Sequence, residues 1–153
     1  MKLQNSLLVI RQLDKKMEGL QPLQGFSMPQ DGWIRTIRKT LQMSLRQLGK
    51  RMSMTPQSVL EVETREKEGS ITLKSLREAG EALNMTLVYG FLPKDGSLEK
   101  MIEWHARELA LKIIYRTSTT MKLEDQENSS VRLNQAVEEM MEELKREPKK
   151  LWD

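Results

Sequence analysis

The stretch from Ser44 to Glu63 leaves few folds open. Leu45, Leu48 and Met52 recur at helical spacing behind Ser44, whose hydroxyl suits an N-cap. Ser53 and Met54 follow as a turn. Thr55 then caps a second helix, and Pro56 falls at its first position, where a missing N–H costs nothing. Val59 and Val62 give this helix a buried side, and it is expected to run to about Thr64. Gly49 sits inside the earlier helix, at a cost of about 1 kcal/mol relative to Ala. A close crossing by the following helix explains why no side chain stands there. Two short helices joined by a tight turn are therefore predicted, a helix-turn-helix.

Charge coincides with this pattern. From Trp33 to Leu60 there are six basic residues and no acidic one. Such a stretch suits contact with a polyanion better than a merely solvated helix face. In a helix-turn-helix the second helix enters the major groove by its N-terminal end. Its outward residues here are Thr55, Gln57, Ser58 and Glu61, the expected base-reading set. Gln pairs bidentately with adenine, Ser or Thr serves either base, and Glu accepts from cytosine. Arg35, Arg38, Lys39, Arg46, Lys50 and Arg51, with Ser44 at a helix start, are the expected phosphate contacts. Phosphate neutralisation releases counterions, so binding should weaken steeply with salt.

The flanks are also readable. Leu3, Leu7, Ile10, Leu13 and Met17 repeat at helical spacing over residues 2–18, and Gly19 ends the pattern. Pro22, Gly25, Pro29 and Gly32 mark a linker. A helix over about 32–42 has Ile34, Ile37 and Leu41 on its inner face. Arg65 to Gly69 reads as a polar loop. Thr72 caps a helix from Leu73 to Leu83, with Leu73, Leu76, Ala79, Gly80 and Leu83 inward. Thr86, Leu87, Val88, Tyr89 and Phe91 carry strand chemistry, closed by Pro93. A lone strand leaves backbone groups unpaired along both edges, so pairing with the same strand of a second copy is expected, giving a homodimer. Pairing with the chain's own N-terminal region is the alternative. Ser97 caps a long helix to about Met121, with Met101, Ile102, His105, Leu109, Ile113 and Arg116 along one side. Residues from Asp125 to Ser130 should break it. A last helix, 131–146, has Leu133, Val137, Met140, Met141 and Leu144 on one face and Glu138, Glu139, Glu142 and Glu143 opposite. The end, Lys149 to Asp153, supplies an apolar anchor.

These elements make a mainly α chain with one short strand. They divide into an N-terminal helix and linker (1–31), a DNA-binding domain (32–93) and a C-terminal helical dimerisation or partner-binding region (94–153). Residues 1–96 carry 15 basic and 10 acidic side chains, and residues 97–153 carry 10 basic and 12 acidic. A basic front and an acidic back suit two partners of different character.

Much is excluded. There is no cysteine, and a single histidine, His105, cannot build a metal site alone, so no metal or cofactor is expected. His105 falls on the apolar side of its helix and reads as a packed residue. No nucleotide-cradling glycine loop is present, and an enzyme is not expected. No apolar run is long enough to span a membrane, and the N-terminal run is too short and interrupted for a secretory signal, so a cytoplasmic protein is expected.

Met43-Ser44, Leu48, Gly49, the run Met54 to Val59, Val62-Glu63, Leu73, Leu76, Ala79 and Ala82-Leu83 together resemble the phage-repressor-like (XRE-type) helix-turn-helix family. That resemblance implies a lambda-repressor-like fold and a transcriptional repressor. Leu45 stands where the family often has Gln, and the loop Thr64–Ile71 is slightly longer. Further segments, Gly32 to Arg38, Gly69 to Leu73, Leu87-Val88-Tyr89 with Leu92-Pro93, Leu123 to Gln126, and Leu151-Trp152-Asp153, look like the family called mobile mystery protein A. This likeness covers almost the whole chain. It implies an antitoxin that autoregulates its operon beside a Fic/DOC-domain toxin. A stand-alone XRE-family regulator without a toxin is the alternative. Fic inhibitors carry a short helical motif, Ser/Thr, three residues, Glu, then Gly/Asn. Thr64, Glu68 and Gly69 fit that spacing, although the C-terminal region 97–153 is the preferred toxin-binding surface.

Overall fold

The computed structural model describes residues 2–118 and 126–153. Among them are seven α-helices and no strand, so the chain is mainly helical. They are α1 (Lys2–Glu18), α2 (Trp33–Thr40), α3 (Leu45–Met52), α4 (Pro56–Glu68), α5 (Leu73–Ala82), α6 (Leu98–Ser118) and α7 (Gln126–Arg146). No helix among the described residues is long and apolar enough to cross a membrane. The chain forms two compact units, one of residues 25–89 and one of residues 1–24 with 90–153.

In the unit 25–89, α2 to α5 enclose Ile34, Leu48, Val59, Val62, Ala79 and Leu83. Ile37, Met43, Leu45, Met52, Met54, Ile71, Leu76 and Ala82 pack around them. Each buried Val, Leu or Ile stabilises the unit by about 1.5–3 kcal/mol relative to exposure. Two residues expected in this core lie outside it. Leu41 ends α2 as its C-cap residue and is exposed, because Gln42 turns the chain away at φ 55°. Leu73 is exposed in the first turn of α5, and the inner row begins at Leu76.

In the other unit, α6 and α7 run antiparallel: Arg107 meets Glu138 at 3.6 Å, and Glu103 meets Lys145 at 4.0 Å. Ala106 and Ala110 are fully buried beneath Val137, Met141 and Leu144, so small residues on α6 admit the larger ones of α7. This centres the inner row of α6 on Ala106 and Ala110. Leu151 is buried from a terminal 3₁₀ turn, Pro148–Trp152, the expected apolar anchor. His105 lies between two indoles, with ring centroids 4.9 Å from Trp104 and 5.1 Å from Trp152. That is a packed histidine.

The N-terminal helix is no separate appendage, which revises the expected 1–31 segment. Asp14 on α1 accepts from the free amides of Leu98 (2.7 Å) and Glu99 (3.2 Å) at the start of α6, and Arg11 pairs with Glu99. Ser97 caps the same helix from within, accepting from Lys100 N at 3.1 Å. The side chain of Leu3 lies outside the described residues, and Leu7 and Leu13 are exposed.

Two further expectations change, and one falls outside the described residues. Residues 126–130 are helical, so α7 begins earlier than expected. The expected end of the long helix at about Met121, and Leu123, Glu124 and Asp125 of the family likeness, lie outside the described residues. Residues 86–91 form no strand, and none of residues 86–92 makes a backbone–backbone hydrogen bond with another described residue. A strand needs a ladder partner, and among the described residues none is offered, the N-terminal region included. Val88 and Phe91 stand 70% and 81% exposed.

Candidate nucleic-acid interface

The pair α3–α4 forms as its caps dictate. Ser44 Oγ accepts from Gln47 N (3.0 Å) while Gln47 Oε1 accepts from Ser44 N (2.8 Å), a reciprocal capping box. Ser53 ends α3 in the left-handed region, and Met54 N donates to Gly49 O at 2.9 Å. Thr55 caps α4, accepting from Ser58 N at 3.1 Å, with Pro56 next. A Cβ placed on Gly49 would sit 2.6 Å from Met54 O and 3.4 Å from the Val59 side chain. The expected close crossing therefore exists.

Two carboxylates on α4 fasten it to α2. Glu63 is 2% exposed and pairs with Arg38, itself 8% exposed; Arg38 Nη2 lies 3.2 Å from Glu63 Oε2. Arg38 Nη1 also donates to Met43 O at 2.9 Å. Glu66 Oε1 accepts from Ile34 N at 2.8 Å, satisfying a free amide in the first turn of α2. The Arg38 guanidinium is thus spent inside the fold. This corrects the expectation that it grips phosphate: a cation buried against a carboxylate presents no charge to a polyanion.

The other expected cations stand differently. Lys39, Arg46, Lys50 and Arg51 are exposed. Arg51 Nη1 reaches Ala82 O at 3.4 Å, which leaves the rest of its guanidinium outward. Arg35 is half-buried, and its Nε is enclosed without a hydrogen-bond partner among the described residues. Ser44 is exposed, with its hydroxyl engaged in the capping box.

Of the expected base-reading residues, Thr55, Gln57 and Glu61 are exposed and Ser58 is half-buried. Thr55 Oγ1 donates to Ser58 Oγ at 2.9 Å, so both hydroxyls serve the cap. Gln57 and Glu61 are the freer pair. Thr64 is exposed on the same side one turn on, its hydroxyl donating to Leu60 O at 2.9 Å. Sequence reasoning passed over Leu60, which is partly exposed beside this row; its position one turn after Gln57 was the available signal.

The helix α4 runs past Thr64 to Glu68, where a loop from Arg65 was expected. Glu66 explains the extension, since its bond to α2 needs the backbone still helical there. Gly69 closes the helix at φ 81°, its N–H reaching Arg65 O and Glu66 O. Thr64 and Glu68 consequently share one exposed face of the last turns, with Gly69 as the terminator.

Searches of protein-family models, of curated proteins and of solved structures found no match to this chain.

Proposed function

We propose that the chain is a sequence-specific DNA-binding transcriptional repressor, built on a lambda-repressor-like helix-turn-helix in which α3 and α4 are the paired helices. One observation carries this reading: α4 is braced from behind by Glu63 and Glu66, while Gln57 and Glu61 stand outward beside exposed cations on α2 and α3. A rigid helix with hydrogen-bonding side chains and flanking cations suits the major groove. Gln57 and Glu61 read base edges, supported by the Thr55–Ser58 cap. Lys39, Arg46, Lys50 and Arg51, with Arg35, hold phosphates.

The repressor acts as a homodimer through residues 86–91, whose unpaired backbone and exposed Val88 and Phe91 suit a two-stranded ladder with a second copy. Its role as antitoxin to a Fic-domain toxin rests on the likeness to mobile mystery protein A, with the acidic face of α7 as the partner surface. Thr64, Glu68 and Gly69 keep the spacing of the Fic-inhibitory motif on a helical end.

The test is binding to the duplex upstream of the chain's own coding region over stepped salt. Affinity should fall steeply, with a log–log slope of about −0.9 for each phosphate engaged. Replacing Gln57 by Ala should weaken binding and relax specificity. Indifference to duplex DNA at low ionic strength would refute the proposal. A complex with a neighbouring Fic protein on co-expression supports the antitoxin role, and its clean absence leaves a stand-alone regulator.

A further inference from the structure

The helix α4 turns about 100° per residue. Its buried ridge is Val59, Val62 and Glu63, so Gln57, Glu61, Thr64 and Glu68 lie opposite, and all four are exposed. Leu60 flanks that row, one turn from Gln57 and one from Thr64. Leu60 is 37% exposed, although Val59 beside it is fully buried. A lone exposed Leu is ordinary on a protein surface. This one borders an otherwise polar row on the helix proposed to enter the groove.

A leucine offers no donor or acceptor. In the major groove the apolar feature it can meet is a methyl group at C5 of a pyrimidine, as on thymine. Pressed against any other edge, it would strip water from a donor or acceptor and return no hydrogen bond, which is unfavourable. Attraction to the methyl and penalty elsewhere act in one direction. We infer that Leu60 is a specificity-determining residue that reads a pyrimidine C5-methyl group beside the base taken by Gln57. This rests on the DNA-reading function proposed above. The methyl can come from thymine or from 5-methylcytosine.

The experiment starts from duplexes enriched out of a random pool by the wild-type protein. Each thymine is replaced singly by deoxyuridine, and each cytosine by 5-methylcytosine. Burial of one methyl-sized group corresponds to about a fourfold change in affinity. A loss of about that size at one thymine in each half-site names thymine as the source. A gain of that size at one 5-methylcytosine names the methylated base. Either effect should vanish in both Leu60→Ala and Leu60→Gln, whose helix content is checked by circular dichroism. A flat scan overturns the inference, as does a sensitive position that persists unchanged in both variants. Selective binding that is lost in Gln57→Ala would then leave the DNA-reading function standing. If the pool yields no selective enrichment, that function and this inference fall together.

Discussion

Replacing Arg38 by Ala strands a carboxylate. Glu63 is almost wholly enclosed, and Arg38 supplies its charge partner from α2. Removing one member of a buried pair costs about 3–5 kcal/mol, because the other charge stays buried and uncompensated. Loss of the bond from Arg38 Nη1 to Met43 O adds about 1 kcal/mol. Small domains have about 5–15 kcal/mol of stability in total, so the variant should be severely weakened. Native-state hydrogen exchange at the amides of Val59, Leu60 and Val62 reads this locally, without requiring the whole chain to unfold in one step. Protection there should fall at least about a hundredfold, since about 1.4 kcal/mol is a factor of ten. The paired replacement Arg38→Met with Glu63→Leu removes both charges and keeps the volume filled, and it should recover most of the loss.

The same paired variant separates a brace from a phosphate contact. If Arg38 touches DNA, the salt slope of binding should shrink by about 0.9 when its charge is removed. If it only holds α4 in place, the paired variant should bind with an unchanged slope. A fall in protection of less than about tenfold in Arg38→Ala would mean that Glu63 is hydrated or finds another cation, and the reasoning would be refuted.

Gly49→Ala gains about 1 kcal/mol of helix propensity, yet its Cβ meets the backbone oxygen of Met54, an overpacking that costs about 1–3 kcal/mol, so a net loss of up to about 2 kcal/mol is expected; a variant with a higher melting temperature would contradict this. Asp14→Ala uncaps α6 and should cost about 0.5–2 kcal/mol, seen as faster exchange at Leu98 and Glu99 N–H. Unchanged exchange there would mean that Ser97 and water suffice. Val88→Lys should abolish self-association in sedimentation and leave the melting of a dilute monomer within about 0.5 kcal/mol, because the residue is exposed in the single chain; a dimer that survives the change would place the contact elsewhere.

Local chemistry was legible and long-range pairing was not. Ser44, Thr55 and Thr72 each accept the N3 amide of the helix behind them, because capping is decided within four residues. Gly49 announced the crossing of α4, since a glycine inside a helix has a cost that only packing explains. Arg38 was misread because a cation bound for a buried carboxylate 25 positions later looks, in sequence, like any other basic residue. The end of α4 was misplaced for the same reason, as polar residues signal a loop unless one of them, here Glu66, is held by another helix. The pairing of α1 with α6 rests on Asp14 reaching amides 84 and 85 positions away, which no local pattern reveals. The strand expected over 86–91 does not form among the described residues, because strand chemistry is local whereas a ladder needs a partner that no pattern within those residues supplies.

These misreadings share a consequence for the proposed site. What orients α4 is Glu63 and Glu66 on its inner side and the bare backbone of Gly49 beneath its start. None of these residues belongs to the outward row. Gln57 and Glu61 in turn take no part in those contacts, so substitutions there should leave the rod where it is. The fold thereby separates holding from the proposed reading: one face of α4 is fixed by buried charge and close packing, and the other is left free for contact.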